Sequence, residues 1–121
     1  MLRPLLAITA IVIFSPMAAS GNPGLPRLNG NLSARSISLT DANGQRVKVL
    51  RQNSYRFVVK DASKAQNFHL VGPGVNRKTQ VAATGTRDWT IYLRPGIYVY
   101  KSDGNPKLRG TFRVEPGPPP A

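Results

Sequence analysis

The chain has no cysteine, a single histidine (His69), two methionines and only five acidic residues among its 121. Without cysteine there are no disulfides, no thiol nucleophile and no thiolate-bound metal. Small exported domains often lean on disulfides, so this chain has to be held by core packing alone. The five carboxylates, Asp41, Asp61, Asp88, Asp103 and Glu115, are scattered over turns and the ends of apolar runs. No two of them have the spacing of a catalytic acid–base pair or a metal-ligand pair. Gly72-Pro73-Gly74 is followed by neither a helix nor a Lys-Ser/Thr pair, so it is not a phosphate loop. A helical apolar stripe of useful length and an internal repeat are missing as well. These absences predict a protein that is not an enzyme.

What is plentiful is positive charge. Seventeen Lys and Arg set a formal net charge of +12, which bears on solubility and partners and not on the fold. The first residues have the pattern of an export signal. A basic start at Arg3 precedes an apolar run from Leu5 to Phe14 and small residues at Ala18-Ala19-Ser20. Cleavage after Ser20 leaves sixteen basic against five acidic residues, a net +11. The alternative is an uncleaved anchor. The run is short for a bilayer and is punctuated by Pro4 and Pro16. The expected mature chain therefore has no membrane span and resides in the periplasm or outside the cell. Residues 21–34 are rich in Gly, Pro and Asn and predict a flexible linker, and 116–121 predict an extended Pro-rich tail.

Between these ends the pattern is that of strands. Ser36 to Thr40 alternates and runs into an Asp41-Ala42-Asn43-Gly44 turn, after which Gln45 to Leu50 places Val47 and Val49 on one face. Ser54 to Lys60 turns Tyr55, Phe57 and Val59 inward and Arg56, Val58 and Lys60 outward. Gln66 to Val71 ends at Gly72-Pro73-Gly74, and residues 75–86 predict a long surface excursion. Trp89 to Leu93, Gly96 to Lys101 and Thr111 to Glu115 complete about seven strands. Short alternating strands separated by turn residues predict an all-β sandwich over residues 35–115. Tyr55, Phe57, Phe68, Trp89, Tyr98, Tyr100 and Phe112 supply much of its expected core.

Two segments carry a family pattern. Gly96-Ile97-Tyr98-Val99-Tyr100-Lys101-Ser102, with Asn105, Pro106, Leu108, Arg109 and Gly110 after it, resembles the ligand loop of the cupredoxins, in their plastocyanin- and amicyanin-like branch. Gln66-Asn67-Phe68-His69-Leu70-Val71-Gly72-Pro73-Gly74-Val75 resembles an H-N-F-H-L-x-G-P-G-V segment of bacterial members. The resemblance implies a cupredoxin-like Greek-key β-sandwich. It also implies that the copper ligands belong at positions 66, 102, 105 and 108, which here hold Gln66, Ser102, Asn105 and Leu108. By the same resemblance, Asn67 braces the loop through Asp103 or its neighbours.

A type 1 copper site takes two imidazoles, a thiolate and usually a thioether, and none of these stands at the four positions. Copper, and any other cofactor, is therefore expected to be absent. Strand alternation also turns His69 away from the face of Gln66, Phe68 and Leu70. Ser102, Gln66 and Asn105 are expected to hydrogen-bond across the old site, with Leu108 capping it, as a polar plug. The expected function is that of a non-enzymatic binding or accessory protein of the bacterial envelope. Two readings compete with it: a copper-binding electron-transfer or metal-carrier protein, as the family alone implies, and a basic module that binds envelope polyanions. Lys107 and Arg109 at the loop end, with Arg77 and Lys78, are the candidate residues for an acidic protein or polyanion. Nucleic acid is not expected, because no strand interleaves basic and aromatic residues as a stacking platform.

Overall fold

The computed structural model describes residues 24–117. The expected signal segment, the first residues of the linker and residues 118–121 of the tail lie outside the described residues. Nine strands are present among those described: β1 (Arg27–Leu32), β2 (Ile37–Thr40), β3 (Val49–Arg51), β4 (Asn53–Asp61), β5 (His69–Gly72), β6 (Val75–Lys78), β7 (Gly85–Leu93), β8 (Gly96–Lys101) and β9 (Arg109–Glu115). They form a four-stranded sheet in the order β2-β1-β4-β7 and a five-stranded sheet in the order β3-β9-β8-β5-β6. Among the described residues no helix is long and apolar enough to cross a membrane.

Alternation explains the long strands. In β7, Trp89, Ile91 and Leu93 are buried while Asp88, Thr90 and Tyr92 are exposed. In β4, Tyr55, Phe57 and Val59 face in and Arg56 and Lys60 face out. The two pair antiparallel over their full length, from Asn53↔Leu93 to Asp61↔Gly85. Two corners carry the chain from one sheet to the other by the same device. The Tyr55 hydroxyl donates to the Arg51 carbonyl at 2.7 Å, where β3 gives way to β4. The Tyr98 hydroxyl donates to the Arg94 carbonyl at 2.8 Å, where β7 gives way to β8. In both, a buried ring puts its one polar atom on the backbone four residues upstream. Burial pushes both phenols above their ordinary value.

Four sequence expectations are corrected. The expected linker contains β1, which lies inside its sheet between β2 and a parallel β4. Its Asn29 and Asn31 alternate with Leu28 and Leu32, so composition hid a strand that period two would have found. The expected excursion at 75–86 contains β6 and the start of β7. Val47 is buried but Val49 is 48% exposed, so the two do not share a face. Val58, on the outer side of β4, is nonetheless 7% exposed, flanked there by Asn29, Thr40 and Lys60.

Aromatic rings fill the interior. Tyr98 stacks on Phe112 with centroids 5.2 Å apart, Tyr100 stacks on Phe68 at 5.8 Å, and Phe68 meets Trp89 at 6.4 Å to join the two sheets. Each β8 tyrosine lies over a glycine of a flanking strand. A Cβ at Gly72 would run into the Tyr98 ring, and one at Gly110 into the Tyr100 ring and hydroxyl. The Tyr100 hydroxyl is buried and has no hydrogen-bond partner among the described residues. Tyr100→Phe, which keeps the ring and removes this orphan, is therefore expected to leave stability unchanged or raise it by up to ~1 kcal/mol. Gly110→Ala is expected to lower it by about 1–3 kcal/mol through overpacking. Urea unfolding curves of the two variants decide; a large loss in Tyr100→Phe would mean the hydroxyl has a partner.

Candidate functional site

The loop between β8 and β9 is held by its own backbone and by the segment that precedes β5. Ser102 N donates to the Leu108 carbonyl at 3.0 Å, and Leu108 N to the Asn105 carbonyl at 2.9 Å. Asn105 Oδ1 accepts from Lys107 N at 3.1 Å. A side chain at Gly104 would strike the Ala65 carbonyl, so the loop lies directly on the 65–66 backbone.

At the centre stands Ser102, 1% exposed. Its Oγ donates to Gln66 Oε1 at 2.6 Å and accepts from the backbone N–H of Asn67 and of Gly104, each at 3.2 Å. Asn67, equally buried, clamps the loop from the other side. Its Oδ1 accepts from Asp103 N at 2.6 Å, and its Nδ2 donates to Asp103 Oδ2 at 2.9 Å and to the Thr79 carbonyl at 3.1 Å. This is the tie from Asn67 to Asp103 that the resemblance implied. A second relay lies beneath it: Phe68 N donates to Thr79 Oγ1 at 2.9 Å, and Thr79 Oγ1 to the buried Asp61 carboxylate at 3.1 Å.

Of the four positions where the resemblance puts copper ligands, the fold brings Gln66 and Ser102 together and leaves the others apart. Asn105 does not join the polar contact expected of it, because its carboxamide is taken by the backbone of its own turn, a local bond that asparagine forms readily. Leu108 is half-buried against the core. His69 lies on the outer face. Its Nδ1 is 2.9 Å from Asp103 Oδ1 and its Nε2 is 2.6 Å from Asn76 Oδ1. Either protonation state of the ring is satisfied there, since the Asn76 carboxamide offers an acceptor and, turned over, a donor. The hydrogen bond from His69, helped by Asn67 and opposed by partial burial, holds the Asp103 carboxyl below its ordinary value.

No protein-family model and no curated protein sequence matches the chain. Among solved structures it is similar to reduced rusticyanin, a cupredoxin, with a TM-score of 0.51 and 13% identity, over 74% of this chain and 78% of that one. The fold is cupredoxin-like. Within it, no group of three or more His, Cys, Asp or Glu among the described residues is placed to hold a metal ion. The positions where the resemblance puts copper ligands offer two neutral amides, a hydroxyl and an alkyl group, none of them the soft or imidazole donors that copper selects. The 2.6 Å contact between Ser102 and Gln66 also leaves no gap for an ion between them.

The candidate partner residues separate. Arg77 turns to the open side of the sandwich, 5.9 Å over the Trp89 ring, and lines a groove of about 430 Å³ with Arg94 and Tyr92. Lys78, on the opposite face of β6, borders a different groove of about 350 Å³ with Asn67, Thr79 and Asp103. Lys107 is exposed in the loop, and Arg109 opens β9. Sequence reasoning did not place Lys101 beside Arg109 or His69 beside Lys78, which pair directly across the sheet. Only strand register reveals these neighbours.

Two outcomes are expected. Ser102→Ala strands Gln66 Oε1 and two backbone N–H groups and should cost about 1–3 kcal/mol. Asn105→Ala, which loses one exposed turn bond, should cost about 0.5 kcal/mol or less; equal losses in urea unfolding would mean Ser102 is no hub. Asp103, whose folded value is depressed, stabilises the fold above the ordinary carboxyl value of 3.8. That contribution fades as pH falls below 3.8 and through the folded value. An NMR titration of its side-chain carboxyl should therefore give a midpoint under 3.8, and a midpoint above it would deny the His69 bond.

Proposed function

We propose that this protein is a non-enzymatic binding module, a cupredoxin-like sandwich that holds no copper and recognises an acidic partner through the basic end formed around the 102–108 loop. The observation that carries this reading is the contact of Ser102 Oγ with Gln66 Oε1 at 2.6 Å. Two of the four positions satisfy each other, Asn105 is taken by its own turn and Leu108 has no donor, which supports a site without a metal. A type 1 centre depends on a thiolate, and a serine hydroxyl stays protonated at ordinary pH and binds copper poorly.

The rest of the reading draws on charge and on the chain's first residues. The export-type segment before residue 21 supports a site of action in the periplasm or outside the cell. With Lys107 exposed in the loop and Arg109 exposed at the start of β9, that end presents fixed positive charge to an incoming partner. Ser102 has no imidazole beside it: His69 is committed to Asp103 and Asn76, on the far side of its strand from Ser102. The electron-transfer reading would need donors that positions 66, 102, 105 and 108 lack.

Adding copper to the purified protein tests this reading. The expected result is no blue absorption band and no stoichiometric copper by metal analysis after desalting. A blue species carrying one copper per chain would overturn it.

A further inference from the structure

Strand register assembles a feature that residue order conceals. On the outer face of the five-stranded sheet, Arg109 of β9 lies opposite Lys101 of β8, Lys101 opposite His69 of β5, and His69 opposite Lys78 of β6. Four basic side chains from four strands thus form one straight row. At the ordinary strand spacing the row runs about 14 Å from Arg109 to Lys78. Lys107, exposed in the loop two residues before Arg109, adds a further cation near that end of the row. The parallel row beside it is Thr111, Val99, Val71 and Asn76, which brings no carboxylate.

Like charges directly opposite on neighbouring strands weaken a sheet, and here one carboxylate, Asp103, meets the row, at His69. The other four acids are used elsewhere or turned inward. Asp88 pairs with Arg56 and Glu115 with Arg113. Asp41 closes its own turn through Asn43 and Gln45. Asp61 is buried on Thr79 and Ser63. Asp103, next to the row, gives one oxygen to His69 and the other to Asn67. Among the described residues Lys78, Lys101, Lys107 and Arg109 have no ion-pair partner. The row bears no aromatic side chain of the kind that anchors a protein partner or stacks on a base. Its charges are spread along a line and do not converge on a point, so a single small anion can meet only part of them.

We infer that the row Arg109–Lys101–His69–Lys78, with Lys107 near its end, is a binding track for a linear polyanion carrying repeated phosphate or sulfate groups. The inference rests on the reading of this end of the molecule as a binding surface, and it names the acidic partner's chemistry. Lys78, Lys101 and Arg109 supply the fixed charge. His69 stands between Lys101 and Lys78 with both ring nitrogens taken by Asp103 and Asn76, so it spaces the row and offers no free N–H to a ligand.

The test uses the purified protein and two fluorescently labelled probes, inorganic polyphosphate and heparin, with binding followed by anisotropy at several salt concentrations. If three phosphates are neutralised, log K should fall with log salt at a slope of about −2. The triple variant K78Q/K101Q/R109Q should lose affinity by about tenfold or more and flatten the slope. A control with the same charge change on the four-stranded sheet, R27Q/K60Q/R87Q, should stay within about twofold of the parent. Circular dichroism confirms that both variants fold. Binding of polyphosphate alone identifies phosphate as the group read, and binding of heparin alone identifies sulfate; each supports the track. The track is overturned if neither probe binds at low salt, or if the control loses as much affinity as the row variant. Copper uptake by a protein whose row still binds polyphosphate would overturn the copper-free reading and leave the track in place.

Discussion

The clamp that Asn67 and Ser102 make between the β4–β5 connection and the β8–β9 loop is the constraint on which this end of the sandwich depends. Two chain segments 35 residues apart are joined through four hydrogen bonds: Asn67 N to Ser102 Oγ, Asp103 N to Asn67 Oδ1, Asn67 Nδ2 to Asp103 Oδ2, and Ser102 Oγ to Gln66 Oε1. Asn67 and Ser102 are almost wholly buried, so each bond exchanged water for a partner that has to be in place. With the loop fixed at Ser102 N and the Leu108 carbonyl, β8 and β9 leave it in one register. That register sets Lys101 against Arg109 and turns Tyr100 over Gly110. A slip of one residue would invert both faces at once, exposing the tyrosines and burying the bases.

The absence of disulfides shifts this burden to the rings. Tyr98 and Tyr100 are the two largest fully buried side chains. Both come from the strand that enters the clamped loop, so core packing and loop position reinforce each other. Bare backbone at Gly72 and Gly110 gives the rings room to lie flat along the sheet, where they reach Phe112 and Phe68. The orphan Tyr100 hydroxyl is consistent with this ordering of priorities. The ring goes where stacking and the glycine surface put it, and its polar atom goes unpaired. Tyr55 and Tyr98, at the corners between sheets, instead find a carbonyl four residues back.

Much of this was legible in residue order, and the parts that were not share a cause. Strands that bury one full face, β4, β7, β8 and β9, announce themselves by alternating large apolar residues. β1 has only Leu28 and Leu32 with Gly30 between them, because Gly30 lies under the Phe68 ring, where a larger residue would crowd it. β6 is an edge strand that buries Val75 alone, so Asn76-Arg77-Lys78 reads as loop. At the site, the bond from Asn67 to Asp103 followed from a motif, and the partnership of Gln66 with Ser102 followed from two positions in one frame. Asn105 went astray because spacing alone says nothing of a side chain that its own turn can capture. The basic row was illegible for a different reason. Its members come from four strands, and only nonlocal pairing places them side by side.

The same distinction bears on what a cupredoxin-like sandwich is for when it holds Gln, Ser, Asn and Leu where the resemblance puts copper ligands. The clamp costs the chain two buried polar side chains and a loop with little freedom, an arrangement that makes sense in any protein needing a rigid end, whether or not a metal sits in it. Rigidity at that end serves the outer face as well as the inner one. Lys101 and Arg109 stand on the two strands that leave the loop, and His69 stands next but one after Asn67, with its ring on the same Asp103 carboxylate that Asn67 holds. Asp103 therefore joins the polar knot to the basic row by one group, with an oxygen given to each. If the knot were only a remnant, nothing would require its outward oxygen to orient His69, whose neighbours in the row have no ion-pair partner among the described residues. That shared carboxylate makes the inner clamp and the outer charge parts of one construction.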